Sequence, residues 1–447
     1  MKVSHSASGT RVAFDDPNLV AFAGLQLTAD LARKLDLPAL IDERVALVPG
    51  PGAAHAGQKG MTLVSALLAG AEYIDDVDAL RAGNTASIIG QHVAAPSTIG
   101  TFLRGFNWGN VRQLDAVIGE ALARAWRAGA GPGDQPLTVD VDSTICETYG
   151  LQKQGGSRFT YRKVRGYHPL LAAAAGLGDV VHSRHRGGPA FSGRGAGSFV
   201  TETLNRVRAA GASGEVTFRM DSGFYATAVV TACLKGKAKF SITTRSSKSL
   251  HRVIGAIDKA EWTAIPYWLE GTADVAETRF TPFSARAPRQ EFRLIVRRVM
   301  PTPGSQLALA GIGYTYHAFI TNRAGAMLEL EADHRRHAEV ESVIRDLKYG
   351  VALNHMPSGK FGANGAWLGF NVLAHNLARW LTRLGQAQPE MLTTKTIRTR
   401  YLCLPGRLAS SGRRRLLHLP TNWPWADRFL SMLERIGSLS IPARAPM

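Results

Sequence analysis

The sequence predicts an α/β fold in which a helical N-terminal part leads into a mixed-sheet core, and three observations predict it. Residues from about 18 to 128 carry apolar positions at helical spacing, a Gly/Pro-rich stretch GAGPGDQP interrupts the chain at 129–136, and beyond it strands and helices alternate.

The helical part is read from its stripes and start signals. TADLARKLDLPALI offers Thr28 as an N-cap, with Leu31, Leu35 and Leu40 behind it. Pro96-Ser97-Thr98 is a second cap signal ahead of IGTFLRGF, which sets Phe102 and Phe106 on one face. The stripe Val111, Leu114, Ile118, Leu122 and Ala125 marks another helix. Such short helices suit a helix-turn-helix or an ordinary small bundle equally in pattern.

After the linker the period changes from helical to alternating. In PLTVDVDST, Leu137, Val139 and Val141 share one face of a strand, while Asp140 and Asp142 share the other. YHPLLAAAAGLGDVVHSRH reads as a hairpin turning at GLGD, GSFVTETLNRVRAAG as an amphipathic helix, and EVTFRMDSGFY as a strand ending at Ser-Gly. ATAVVTACLKG and AKFSITTR add a helix and a strand, giving the order three strands, helix, strand, helix, strand. About 90 β-rich residues follow, including ETRFTPF, EFRLIVRRVM and GYTYHAFITNR. In HAEVESVIRDLKYG, Val340, Val343, Ile344 and Leu347 form an apolar stripe beside Glu341, Arg345 and Lys348. An apolar helix GAWLGFNVLAHNLARWL and a basic tail complete the chain. The expected boundaries are a helical N-terminal part at 1–130, a mixed α/β core in two parts at 137–245 and 326–385 with a β-rich segment at 246–325 between them, and a basic C-terminal region at 386–447.

Composition narrows the function. In 447 residues, 45% are hydrophobic and 20% charged, an ordinary globular balance. Lys plus Arg number 53 against 35 acids, a formal charge of +18, so the expected partner is a polyanion, with nucleic acid first. The longest apolar runs, such as LVSALLAGA, are too short for a bilayer, and the first residues lack a signal-peptide core. Cys146, Cys233 and Cys403 lie far apart, without metal-ligand spacing, which fits a reducing cytoplasm.

Against that positive balance, three acids stand where structure alone does not ask for charge. Asp142 ends the first core strand, Asp221 ends the fourth, and Glu341 lies on the helix after the β-rich segment. Each alone has a plainer reading: a turn or helix cap for the aspartates, a solvated helix position for the glutamate. In a three-strand, helix, strand arrangement, however, the first and fourth strands are neighbours. Clustered carboxylates repel one another unless a cation sits among them, and hard oxygen donors suit a pair of Mg²⁺ or Mn²⁺ ions for phosphoryl chemistry. Asp140 lies further back on the same face as Asp142 and is the alternative first ligand; Glu147, Glu331 and Glu339 rank lower.

The blocks LTVDVDSTICETYGLQKQG, YRKVRGYHPL, FRMDSGFY, HRRHAEVESVIRDLKYG, NHMPSGKFGANGAWL and AHNLARW occur in an order that resembles the DDE transposases of bacterial insertion sequences, in particular the thirteen-eighty type. The resemblance covers most of the chain. It implies a ribonuclease-H-like mixed-sheet catalytic core carrying an inserted β-rich subdomain, with Asp142, Asp221 and Glu341 as an acidic triad for two Mg²⁺ or Mn²⁺ ions. It further implies metal-dependent cleavage and strand transfer at the element ends, and Lys348 near a terminal phosphate. The wider group shows a Tyr, Arg, Glu, Lys signature around the last acid; here Glu341 and Lys348 keep the spacing, while His334 and His337 occupy the Tyr and Arg places. That departure leaves the handling of cleaved ends open.

The DNA contacts expected from charge lie between Leu151 and His168, where Lys153, Arg158, Arg162, Lys163, Arg165 and His168 interleave with Phe159, Tyr161 and Tyr167 without an acid. Arg345 joins them from the helix of Glu341. Arg184, His185, Arg186 and Arg194 are expected to extend this surface, and Lys395, Arg398, Arg400, Arg407 and Arg413 to Arg415 form a second basic run. Trp262 and Trp268 are expected either to stack on a flipped base or to anchor the β-rich segment. The whole reads as a cytoplasmic, DNA-associated enzyme acting on double-stranded DNA at element ends and target, as a homodimer that pairs two ends. The alternatives are a metal-dependent nuclease on the same core and a DNA-binding regulator that has lost its chemistry.

Overall fold

The computed structural model describes residues 3–5, 10–150, 153–266, 272–283, 290–301, 313–412 and 414–441. The chain divides into two compact units, one formed by 1–131, 146–157 and 345–447, the other by 132–145 and 158–344. The first division falls inside GAGPGDQP, where the composition places a linker.

The second unit is built on a nine-stranded sheet. Its strands are β1 (Leu137–Ser143), β2 (Leu170–Ala174), β3 (Val180–Arg184), β4 (Val216–Met220), β5 (Lys239–Thr243), β6 (Thr263–Ile265), β7 (Ala273–Phe280), β8 (Phe292–Val299) and β9 (Thr315–Thr321), in the spatial order β6-β7-β8-β9-β5-β4-β1-β2-β3. β1, β2 and β3 run antiparallel, the β2–β3 turn containing Gly176 and Gly178, each at φ 73°. β4 is parallel to β1 and β5 parallel to β4. Parallel neighbours need crossover connections, which the helices Ala196–Ala209 and Thr227–Lys235 supply. Val139, Val141, Val216, Phe218, Phe240 and Ile242 are wholly buried, one apolar face of the alternating central strands.

The register pairs Val141 with Met220 and Asp140 with Arg219. Asp142 and Asp221 therefore follow one residue further on, at the same ends of two neighbouring parallel strands. Crevices at the carboxyl ends of such strands, where the chain direction through the sheet reverses, are where open α/β sheets bind ligands.

The β-rich segment does not close on itself. β9 pairs antiparallel with β5, and β8, β7 and β6 continue outward, so the segment extends the same sheet. The helix expected around Glu341 is preceded by another: Met327–Arg335 and Glu339–Gly350 are joined by a single 3-10 turn, Arg336–Ala338.

The first unit packs around the 25-residue helix Phe361–Gly385, which is buried on nearly every side and holds Trp367 and Trp380 in its core. Helices Trp108–Ala125, Ala56–Ala69 and Ala426–Gly437 pack against it. At Gly362 a Cβ would lie 2.1 Å from the Phe106 carbonyl oxygen, so only glycine admits that approach. Leu19–Val20 pairs with Gly406–Ser411, which pairs with Arg414–His418.

Two start signals fall differently from the sequence reading. Thr28 lies inside the helix Leu25–Lys34, its hydroxyl donating to the Leu25 carbonyl, and that helix ends before Asp36, whose φ of 55° separates it from Leu37–Arg44. Pro96 is the first helical residue of Pro96–Arg104, so Ser97 and Thr98 lie in its first turn and Ala95 precedes it. No helix among the described residues is long and apolar enough to cross a membrane.

Candidate active site

The acids emerge from the strand ends just described. Asp142 Oδ1 accepts the Ser143 backbone N–H at 2.6 Å, and Asp221 Oδ1 accepts that of Gly223 at 2.9 Å, capping the short turn Ser222–Phe224. Glu341 lies exposed in the first turn of Glu339–Gly350. Burial pushes the Asp142 carboxyl up to about 6, the charges of Asp221 and Glu341 push in the same direction, and the Ser143 N–H and His337 oppose them. Asp142 thus lies within the field of both other acids. Among the described residues, none of the three forms an ion pair with a basic side chain, and no three acidic, His or Cys side chains are arranged to ligate one ion.

The competing acids are engaged elsewhere. Both oxygens of Asp140 accept from Arg219, at 2.7 and 2.8 Å, and His337 Nδ1 lies 3.0 Å from Oδ1. Arg219 is 1% exposed and also reaches the Asp333 carboxylate at 3.0 Å and its carbonyl at 2.7 Å. Glu331 pairs with Arg297 at 2.9 Å and Arg335 at 3.0 Å, and Glu339 with Arg336 at 2.9 Å. Glu147 lies exposed in the first unit.

His334 and His337 have structural partners where DNA contacts were an open reading. His334 lies between the hydroxyls of Ser241 and Thr243, at 2.7 and 2.9 Å, with its ring stacked on Phe319 at 4.1 Å. Burial first, then the charges of His337, Arg219, Arg297 and Arg323, lower its pKa to about 3, so it is neutral. His337 belongs to the Asp140 network.

Beside Asp142, a hydrogen-bonded chain joins His168 Nε2 to Ser143 Oγ at 2.9 Å and Ser143 Oγ to Ser192 Oγ at 2.9 Å, while His168 Nδ1 lies 2.6 Å from the Ala190 oxygen. Buried Arg186 donates to the carbonyls of His168, Phe191, Ser192 and Arg194, which fixes the loop 187–195. A Cβ at Gly223 would meet the Ser192 Cβ and Asp221 Oδ1, each at 2.9 Å. From another side, Arg245 donates to the carbonyls of Ser222 at 2.8 Å and Gly223 at 3.1 Å. The Asp221 turn is therefore held on two sides.

These bonds revise the basic surface. His168 and Arg186 are buried supports, His185 is buried and neutral with its pKa lowered to about 3, and Arg184 pairs with Glu202 at 2.9 Å. Lys153, in the first unit, donates to the carbonyls of Met356 at 2.5 Å and Ser358 at 3.2 Å, and burial lowers its pKa. Arg158, Arg162 and Lys163 do face solvent with Phe159 and Tyr161, on a hairpin that pairs Arg158 with Gly166; Arg165 is half-buried. Arg345 is exposed, and half-buried Lys348 lies close enough to Cys146 for its charge to oppose the burial that raises that thiol to about 12. In the second basic run, Arg398 donates to the carbonyls of Leu67, Leu68 and Gly350, Arg400 pairs with Glu390 and Arg407 with Asp16. Lys395, Arg414 and Arg415 are exposed, and Arg413 lies outside the described residues. Trp262 is covered by the Arg298 guanidinium at 4.2 Å; Trp268 lies outside the described residues.

The supporting roles of Arg219, Ser143, Ser192 and Arg245 were not expected from the sequence. For Arg219 a signal existed: DVD and RMD each place two charges two residues apart, so the pairing of their strands sets Arg219 opposite Asp140.

The family model for the transposase DDE domain group 1 matches residues 4–441. No curated protein matches the chain. Among solved structures, the cryo-EM structure of a piggyBac transposase synaptic complex with hairpin DNA is similar over 100% of this chain and 89% of that chain, with a TM-score of 0.46 and 11% sequence identity.

Proposed function

The chain belongs to the DDE transposase family, whose members cut and transfer DNA, and on that premise we propose that it is the transposase of an insertion sequence, of the thirteen-eighty type. It binds the ends of its element and catalyses metal-dependent strand cleavage and strand transfer. What supports this reading is the family match, together with the placement of Asp142 and Asp221 one residue beyond the paired Val141 and Met220 on neighbouring parallel strands and the upward push that Asp221 and Glu341 both give the Asp142 carboxyl. The spatial order β3-β2-β1-β4-β5 supports reading the core as ribonuclease-H-like, extended by the β-rich segment. In this reading 1–130 is the helical DNA-binding part, 137–245 and 326–385 form the catalytic core, 246–325 is the insertion and 386–447 the basic C-terminal region.

An all-carboxylate donor set with mutual repulsion fits hard divalent cations, Mg²⁺ or Mn²⁺. Asp142, Asp221 and Glu341 would hold a pair of them, which when bound activates the attacking oxygen and neutralises charge developing at the scissile phosphate. The chain's own residues set the geometry. The Ser143 and Gly223 N–H groups orient the two aspartates, and the Arg219–Asp140 pair joins both acid-bearing strands to the segment that leads into Glu341. Asp140, with both oxygens occupied, acts behind Asp142. In the second unit Arg158, Arg162 and Lys163 are solvent-facing cations suited to phosphates, with Arg165 at the edge of their hairpin; in the first unit Arg345 is likewise exposed and Lys348 is assigned to a terminal phosphate. Lys153 supports the fold of the first unit and His168 that of the second. A homodimer pairing two ends on double-stranded DNA in the cytoplasm completes the proposal.

The test uses labelled duplexes bearing candidate element ends, incubated with Mg²⁺, Mn²⁺ or EDTA. Metal-dependent cutting and joining support the proposal. Cutting without joining indicates a nuclease, and binding without chemistry indicates a regulator; either result overturns it.

A further inference from the structure

Each aspartate is held by one backbone N–H, that of Ser143 for Asp142 and that of Gly223 for Asp221, and both donor residues lie against Ser192. The Ser192 hydroxyl is 2.9 Å from that of Ser143, and a Cβ at Gly223 would meet the Ser192 Cβ at 2.9 Å and its Oγ at 3.0 Å. A Cβ at the next residue, Gly193, would meet the Gly223 carbonyl oxygen at 3.2 Å. The middle of the loop 187–195 therefore rests on both acid-bearing strand ends at once, all within the second unit.

The loop is itself fixed in place. Buried Arg186 donates to the carbonyls of Phe191, Ser192 and Arg194, and the His168 ring reaches from the Ala190 carbonyl oxygen to Ser143 Oγ. These partners set the direction of the hydrogen bonds. A carbonyl only accepts, so His168 Nδ1 donates to Ala190, and in the neutral ring Nε2 accepts from the Ser143 hydroxyl. Burial lowers the His168 pKa against the opposing Ala190 bond, with the Arg186 charge adding to the effect, so the ring is neutral at neutral pH. Ser143 Oγ, its proton given to His168, accepts from Ser192. The chain thus runs from Ser192 through Ser143 and His168 to Ala190 and returns to the loop it left, a closed brace beside Asp142.

Resting on the reading of Asp142, Asp221 and Glu341 as the metal-holding site, we propose that Ser192 is a positioning residue that fixes the separation of Asp142 from Asp221. It acts through the two residues whose N–H groups hold the carboxylates, not on the metal or on DNA. Divalent ions such as Mg²⁺ demand near-ideal geometry of their oxygen donors, so loosening this spacing weakens metal binding and slows joining while DNA binding is unaffected.

The test titrates Mn²⁺ calorimetrically into the full chain and into Ser192→Ala, Ser143→Ala and the double variant, records the melting temperature of each, and follows joining against DNA concentration. Ser192→Ala binds Mn²⁺ about tenfold more weakly and lowers kcat by about tenfold or more, with KM for DNA and the melting temperature unchanged. The double variant is no worse than the worse single one, because both substitutions cut the same link. Equal Mn²⁺ affinity in Ser192→Ala and the unchanged chain overturns the positioning role and leaves the metal site standing. A defect confined to KM for DNA also overturns it and makes Ser192 a DNA contact, and additive losses in the double variant overturn the shared link. An unchanged chain that takes up no Mn²⁺ sinks the reading of the acids and this role with it.

Discussion

Replacing Arg219 by Met removes the partner that both oxygens of Asp140 depend on. The two side chains are 1% and 2% exposed, so solvent cannot take over the lost bonds, and only His337 remains beside the carboxylate. Breaking one side of a buried pair costs about 3–5 kcal/mol. In a unit of roughly 200 residues, where 1 kcal/mol shifts the midpoint by about 2–4 °C, the melting temperature falls by roughly 10 °C. The double variant Arg219→Met, Asp140→Leu leaves no orphaned charge and recovers most of that loss, so the two substitutions are strongly non-additive. Thermal and urea unfolding followed by circular dichroism measure the cycle. DNA joining stays low in the double variant, because the tie from β1 and β4 to Asp333 is gone even though stability has returned. A cost under about 1 kcal/mol for Arg219→Met, or simple additivity, would refute the reasoning.

Other substitutions test other parts of the structure. His185 is held neutral with a folded pKa near 3, below the ordinary 6.5, so the unfolded chain takes up the proton first; stability is complete above about pH 6.5 and declines as pH falls toward 3, and His185→Phe flattens that part of a melting-temperature profile. Burial raises the Asp346 carboxyl, but the bonds and charges of His375, Arg379 and Thr394 outweigh it and hold the group well below the usual carboxylate range. Its contribution is present above that range and lost as pH falls below it, and Asp346→Ala costs about 3 kcal/mol in urea unfolding at neutral pH. Gly223→Ala forces the Asp221 turn away from Ser192 and lowers the joining rate by about a hundredfold, the scale of an ångström-sized displacement, in a protein whose circular dichroism is unchanged.

Strand order and acid placement were legible because they follow from periodicity. Alternation in PLTVDVDST and EVTFRM fixes which side chains share a face, and the parallel register of the two strands brings their last acids level. The long apolar helix near the C-terminus was legible for the same reason. Its neighbours were not, since Gly362 and Gly24 act through backbone approaches to Phe106 and Tyr401, each more than two hundred positions away in the chain. Basic residues misled most. Lys153, Arg186 and Arg398 look like phosphate contacts in an acid-free run, yet each binds backbone carbonyls, a role that leaves no pattern in the sequence. Thr28 misled through a cap signal that the helix had already passed.

The most direct test of the acidic site compares melting temperatures with and without millimolar Mn²⁺ for the unchanged chain and for Asp142→Asn, Asp221→Asn and Glu341→Gln. If the three carboxylates repel one another until a cation joins them, each substitution raises the metal-free melting temperature and abolishes the rise that Mn²⁺ gives the unchanged chain. If the substitutions lower the metal-free value and the Mn²⁺ response persists, the acids are ordinary turn and helix residues and the account of the site is wrong.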